Sequence, residues 1–147
     1  WINDPRLGVD QWSLNGIDFD RSTNVIYTVN QKAGQLFRIP IREDGCAGEV
    51  VQISTTQEIR RPDGLKVIGP GLLATAEGGA GGMAVITVDG DAAEVRRISA
   101  NLDGVTTFAY YQGSAWLVEG QSDHFWDPEH AGPDADPPFR IVEIPLG

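Results

Sequence analysis

The sequence predicts an all-β chain made of β-propeller blades, each a meander of four antiparallel strands, with about three blades present. Short β-branched and aromatic runs alternate with Gly, Asn and Asp turns along all 147 residues. A polar-Gly-aliphatic tripeptide recurs, Asn15-Gly16-Ile17 and Asp63-Gly64-Leu65 standing 48 residues apart, and a third unit opens at Val105 some 43 residues after the second. Helical 3.6-residue spacing is absent. Such a period, with four strands in each unit, is the mark of propeller blades. A β-sandwich would also show short strands and turns, but it requires no recurring opening tripeptide.

Residues 1–3 read as a stray strand, the last of an earlier blade. The first blade covers 15–54, with strands at 16–19, 24–29, 35–41 and 49–53. In its second strand Val25, Tyr27 and Val29 take one face and Ile26 and Thr28 the other, so the sheet is buried on both sides. The second blade covers 63–99, with strands at 64–68, 72–76, 83–88 and 94–98. An incomplete third covers 105–147, with strands at 105–110, 115–118 and 139–144 and no fourth. Closed propellers need about four to eight blades, and the chain begins at Trp1 instead of methionine. The expectation is therefore that N-terminal blades are missing; a symmetric pair of chains is the other route to six.

Hydrophobic residues make up 41% of the chain, ample for a core. Lys and Arg number 11 against 21 Asp and Glu, and a net charge of −10 repels nucleic acid and anionic membrane surfaces, so neither is an expected partner. An acidic surface is also what a cation binder shows, but plain solubility is the reading it favours, and charge alone names no ligand. No signal-peptide pattern or run of eighteen apolar residues is present. The single Cys46 can form no internal disulfide.

Several other motifs read as turns or loops. Ser122-Asp123-His124-Phe125-Trp126-Asp127-Pro128-Glu129-His130 holds both histidines, but the spacing is not that of a helical zinc motif and Pro128 bars a regular helix. It reads as a solvated acidic loop. No Gly-x-Ser-x-Gly elbow occurs, which leaves a serine nucleophile without support. Gly78-Gly79-Ala80-Gly81-Gly82 lacks the strand-to-helix setting of a phosphate loop and reads as a hairpin connection, and Asp89-Gly90-Asp91 reads as a turn.

Leu14-Asn15-Gly16-Ile17, Arg61-Pro62-Asp63-Gly64-Leu65 and Gly104-Val105-Thr106-Thr107 resemble, in order and spacing, three successive blade openings of the gluconolactonase and regucalcin (senescence marker protein) family of six-bladed propellers. Val25-Ile26-Tyr27 and the Gly-Gly hairpin at 79–85 fit the same alignment. The resemblance covers nearly the whole chain but only the C-terminal half of the family fold. It implies that Asn15 and Asp63 bind a divalent cation, calcium or zinc, with Asp63 as general base in the hydrolysis of a lactone or similar cyclic ester. An amide oxygen and a carboxylate are hard donors suited to such an ion. Taken alone, the two residues read equally as caps of tight turns. The family's third ligand, a Glu, and its substrate-holding Arg and Asn belong to the half not represented here. One departure stands out: Tyr27-Thr28-Val29-Asn30 ends in an amide where the lactonases usually carry Asp. The competing function is a non-catalytic propeller binding a small molecule or a protein at its channel mouth.

Strand direction places the loops between second and third strands on the same face as the blade openings. Those loops are 30–34, 77–81 and the long 119–138. Asn30, Glu77 and His124, with Thr107 at the third opening, are thus the expected contacts to a small-molecule ligand. Residues 121–126 are expected over or beside the mouth, since long loops in compact domains are often binding elements.

Overall fold

The structure, a computed structural model, describes residues 1–126 and 134–147. Eleven strands among the described residues form three antiparallel meanders. The first contains β1 (Leu14–Asp20), β2 (Val25–Asn30), β3 (Gln35–Pro40) and β4 (Val51–Thr55). In the second are β5 (Pro62–Gly69), β6 (Leu72–Glu77), β7 (Gly82–Asp89) and β8 (Ala92–Ser99). The third has β9 (Val105–Tyr111), β10 (Ser114–Glu119) and β11 (Arg140–Pro145), with a one-turn helix α1 (Asp123–Trp126) between the last two. The outer strands β4 and β8 pair in parallel at Ser54–Ala92 and Thr55–Ala93, which joins the first two meanders into one eight-stranded sheet. Among the described residues no helix is long and apolar enough to cross a membrane.

Residues 1–3 differ from the sequence expectation: they form no strand. Asp4 caps a 3₁₀ turn at Pro5–Leu7 by accepting from the Arg6 amide, and Pro5 has no N–H to give to a ladder. Ile2 and Leu7 instead pack on Phe37, Ile39 and Val50, and the Trp1 indole donates to the Gly45 carbonyl at 2.9 Å.

Register aligns the three blades residue by residue. In each, the inner strand bulges at its second and third residues, and Leu14, Pro62 and Val105 face Asn30, Glu77 and Glu119 respectively. It follows that Asn15, Asp63 and Thr106 are equivalent, as are Gly16, Gly64 and Thr107.

Two layers of core lie between the blades. Tyr27, Val29 and Leu36 of the first blade meet Leu65, Leu73 and Ile86 of the second. On the other side of that blade Ala74, Ala76 and Met83 meet Phe108, Ala115 and Leu117 of the third. The second blade is thus buried on both faces, and β2 of the first is buried along nearly its whole length.

The inner strands approach most closely at the two glycines. A Cβ on Gly16 would overlap the Asp63 carbonyl oxygen and stand 2.5 Å from the Leu65 amide nitrogen, and one on Gly64 would stand 2.9 Å from the Thr107 Cα. Only glycine permits this contact of backbone on backbone. Gly16→Ala is expected to cost about 1–3 kcal/mol of stability, the usual penalty of overpacking. Gly69→Ala, whose Cβ would meet Leu72 side-chain carbons at an ordinary 3.6 Å, should be near neutral. Urea denaturation of the two variants checks this; equal stabilities would contradict it.

Candidate functional site

A cavity of about 550 Å³ opens where the inner strands begin. The blade openings contribute Asn15, Asp63 and Thr106 to its wall. Loops following the second strands add Gln31, Lys32 and Gly78, and the long third loop adds Ser122 and Asp123. Gln11 and Trp12 complete it from the segment before β1, together with Arg61 and Val105. The loop face inferred from strand direction is thus the face on which Asn15 and Asp63 stand.

Local backbone explains why these side chains converge. The bulge in β1 is held by the Thr28 hydroxyl, which donates to the Gly16 carbonyl at 3.0 Å. Close contact of β1 on β5 then sets Asn15 beside Asp63. Arg61 and Gly104, each immediately before an inner strand, lie in the left-handed region at φ +49° and +55°.

Asp63 is half-buried, and burial pushes its carboxyl above the ordinary value. Asn15, close enough to hydrogen-bond it, and the Arg61 guanidinium partly offset this, while the Asp123 carboxylate adds to it. The Gln31 amide also reaches an Asp63 oxygen at 3.5 Å. Arg61 is engaged by both oxygens of Asp123, at 3.1 and 3.3 Å. Of the two carboxylates in the wall, Asp123 is therefore paired with Arg61, whereas Asp63 makes no salt bridge among the described residues.

His124 sits beside the cavity wall instead of in it, with Nε2 2.7 Å from an Asp103 oxygen. The Gln121 amide clasps the base of the same loop, donating to the Asp136 carbonyl at 2.9 Å and accepting from the Asp136 amide at 2.6 Å. Residues 127–133 of the acidic segment, His130 among them, lie outside the described residues.

Three of the anticipated ligand contacts lie elsewhere. Thr107 takes the glycine position of its blade, packing on Gly64, so Thr106 is the side chain that lines the cavity. Glu77 is fully buried, accepting from the Arg60 amide at 2.6 Å and from the Arg97 guanidinium at 2.7 Å. Its counterpart Glu119 accepts from the Asp103 amide at 2.9 Å and from Arg140 at 2.5 and 2.7 Å. Asn30, at the same position of the first blade, accepts from the Ala33 amide at 3.0 Å and donates to the Leu7 carbonyl at 3.4 Å. These side chains pin backbone near the blade openings. The repeated Glu77-Gly78 and Glu119-Gly120 dipeptides are the sequence signal for this role. Arg61 and Asp123, which sequence reasoning missed as a pair, carried no such signal.

The chain is thus a β-propeller-like all-β protein with a polar cavity at the mouth of its inner strands. No protein-family model matches it, and no curated protein matches it. Among solved structures it is similar to a selenomethionine-substituted virginiamycin B lyase from Staphylococcus aureus, at 17% identity and a TM-score of 0.56. The match covers 79% of this chain and 36% of that one, and at this identity the likeness shows the fold alone.

Two variants separate cavity from frame. Glu77→Ala strands Arg97 and the Arg60 amide and is expected to cost about 3–5 kcal/mol in urea denaturation, the usual toll of halving a buried pair. An unchanged stability would contradict the framework role. For Asp63 the folded-state pKa lies above the unfolded one, so its favourable contribution is complete below the unfolded value and is lost as pH rises through the folded one. At pH 7 the ionised group opposes folding. Asp63→Asn should then melt above the wild type at neutral pH, with the gap closing toward about pH 4; a lower melting temperature at pH 7 would contradict it.

Proposed function

We propose that the cavity binds a small polar molecule and, with a divalent cation such as calcium or zinc on Asn15 and Asp63, hydrolyses a lactone or similar cyclic ester. The observation that carries this is the placement of Asn15 and Asp63, from successive inner strands, side by side in the cavity wall. Asn15 offers an amide oxygen and Asp63 a carboxylate that makes no salt bridge among the described residues. A bound cation would also relieve the burial cost that raises Asp63. Calcium takes about six to eight oxygens, so two side chains would form part of its shell. Among the described residues no three His, Cys, Asp or Glu gather to supply the rest. Water and the ligand would complete it.

The cation would supply Lewis acidity toward a carbonyl oxygen. Asp63 would accept the proton of an attacking water through its second oxygen. Gln31 and Thr106 offer hydrogen bonds for orienting the ligand, and the exposed Trp12 offers an apolar ring face.

The second reading is binding without catalysis, of a small molecule or a protein at the same mouth. The missing third acidic donor among the described residues favours it, as does the Arg61–Asp123 pair, which leaves the wall nearly neutral. The similar solved structure is named a lyase, and Asp63 as a base would serve elimination as well as hydrolysis. Product mass separates these two, since hydrolysis adds one water and elimination adds none.

Calorimetric titration with calcium and with zinc tests the cation. Asp63→Ala is expected to weaken binding at least about tenfold, or ~1.4 kcal/mol, and Asn15→Ala to weaken it less, because only Asp63 carries charge. Equal and unchanged binding in both variants would overturn the assignment.

A further inference from the structure

Two cations line the cavity among the described residues, Lys32 and Arg61, and neither bridges Asp63. Lys32 is directed to the Asp10 carboxylate at 3.3 Å. Arg61 stands two residues before Asp63, yet its guanidinium is turned to Asp123 of α1 and meets both carboxylate oxygens, at 3.1 and 3.3 Å. Asp63 is left with neutral donors, the amides of Asn15 and Gln31. Arg61 is still near enough to lower the Asp63 carboxyl, and Asp123 near enough to raise it, so the three charges share one part of the wall. A guanidinium on a long flexible stem, set between two carboxylates, pairs with the one that meets its planar fork. The loop that carries Asp123 presents it in that way. The Gln121 backbone amide donates to the Asp103 carbonyl at 3.2 Å, the Ser122 hydroxyl to the Gly104 carbonyl at 3.4 Å, and His124 Nε2 lies 2.7 Å from an Asp103 side-chain oxygen. Both chain neighbours of Asp123 are thus fastened to the opening of the third blade. Its side chain is 25% exposed, so water competes with the pair less than at an open surface.

We propose that Asp123 is a positioning residue, which holds the Arg61 guanidinium aside and so leaves Asp63 open to a cation. This rests on the reading of Asp63 as a cation ligand. Without Asp123, Arg61 needs only to turn toward the carboxylate two residues along the chain, and an internal ion pair then takes the place of the bound ion. The loop between β10 and β11 thereby controls a site whose side-chain donors come from the first two blades. An arginine beside a cation-binding carboxylate does not defeat the site because a second carboxylate occupies it.

Carbon-13 NMR titration of the Asp63 carboxyl in the wild type, Asp123→Asn, Arg61→Gln and the double variant tests this. Loss of the Asp123 charge lowers the Asp63 pKa in either background. Transfer of Arg61 lowers it further only where Arg61 is present, by about 1 or more, the usual effect of an adjacent opposite charge. The expected result is a larger fall on Asp123→Asn in the wild type than in Arg61→Gln. A pair that merely ties the third blade to the second would change the melting temperature and leave the two falls equal, and equal falls would overturn the proposal. Asp123→Asn preserves side-chain size at a partly exposed position, circular dichroism melts check its folding, and Asp123→Ser should repeat its effect. Calorimetry with zinc and with calcium gives an independent reading. Asp123→Asn should weaken binding at least about tenfold, and Arg61→Gln added to it should restore binding. Affinity left unchanged by Asp123→Asn, or weakened equally with and without Arg61, would overturn the proposal. A wild type that binds neither ion would overturn the cation reading, and the titration cycle, which contains no ion, then decides the role of Asp123.

Discussion

The arrangement depends on the contact of one inner strand on the next at Gly16 and Gly64. Side chains at these points would hold the strands apart by the width of a Cβ, and each blade would then swing outward from the axis. With glycine there, the β1 backbone rests on the Asp63 carbonyl and the Leu65 amide. Asn15 and Asp63 each immediately precede the glycine and so meet at the strand starts. The same contact lines up the apolar faces behind it, so that Tyr27 and Val29 bury Leu65 and Leu73. Proximity of the two polar residues and burial of the core have one common cause.

Around this contact the chain spends its buried polar side chains on backbone. Glu77, Glu119 and Asn30 end the second strands and reach amides near the blade openings. At the far end of β1, Asp18 accepts from the Val67 amide at 2.8 Å and Asp20 from the Gly71 amide at 3.2 Å, tying the first blade to the second. Burial opposes the ionised Asp20, yet hydrogen bonds from Ser22 and Gly71 outweigh it and hold its carboxyl below the ordinary range. The Arg140 guanidinium does the same for Glu119. Asp63 is the exception: its hydrogen bonds do not outweigh its burial, and its carboxyl stays raised. A carboxylate left in that condition facing a cavity is the kind that functional sites contain.

Much of this was legible in the sequence, for identifiable reasons. Val25, Tyr27 and Val29 on one face and Ile26 and Thr28 on the other mark a strand covered on both sides, and Asn15-Gly16 and Asp63-Gly64 mark the strand starts. Thr106, not Thr107, lines the cavity because Thr106-Thr107-Phe108 aligns with Asn15-Gly16-Ile17 and Asp63-Gly64-Leu65, and the third opening lacks the glycine that marks this register in the other two. Asn30 and Glu77 are polar residues at strand ends, which resemble ligand contacts until their backbone partners are known. Trp1 and Ile2 have the composition of a strand, but Asp4 and Pro5 turn the chain into a 3₁₀ turn. The pairing of Arg61 with Asp123 joins residues far apart in sequence, and no local pattern announces it.

Strand contact brings Asn15 and Asp63 together in a partly desolvated wall. Carbon-13 NMR titration of the Asp63 carboxyl, in the wild type and in Asn15→Ala, measures this directly. The structure predicts a wild-type pKa above the ordinary aspartate value and a further rise when the Asn15 hydrogen bond is removed. A carboxyl that titrates at the ordinary value, indifferent to the loss of Asn15, would contradict it.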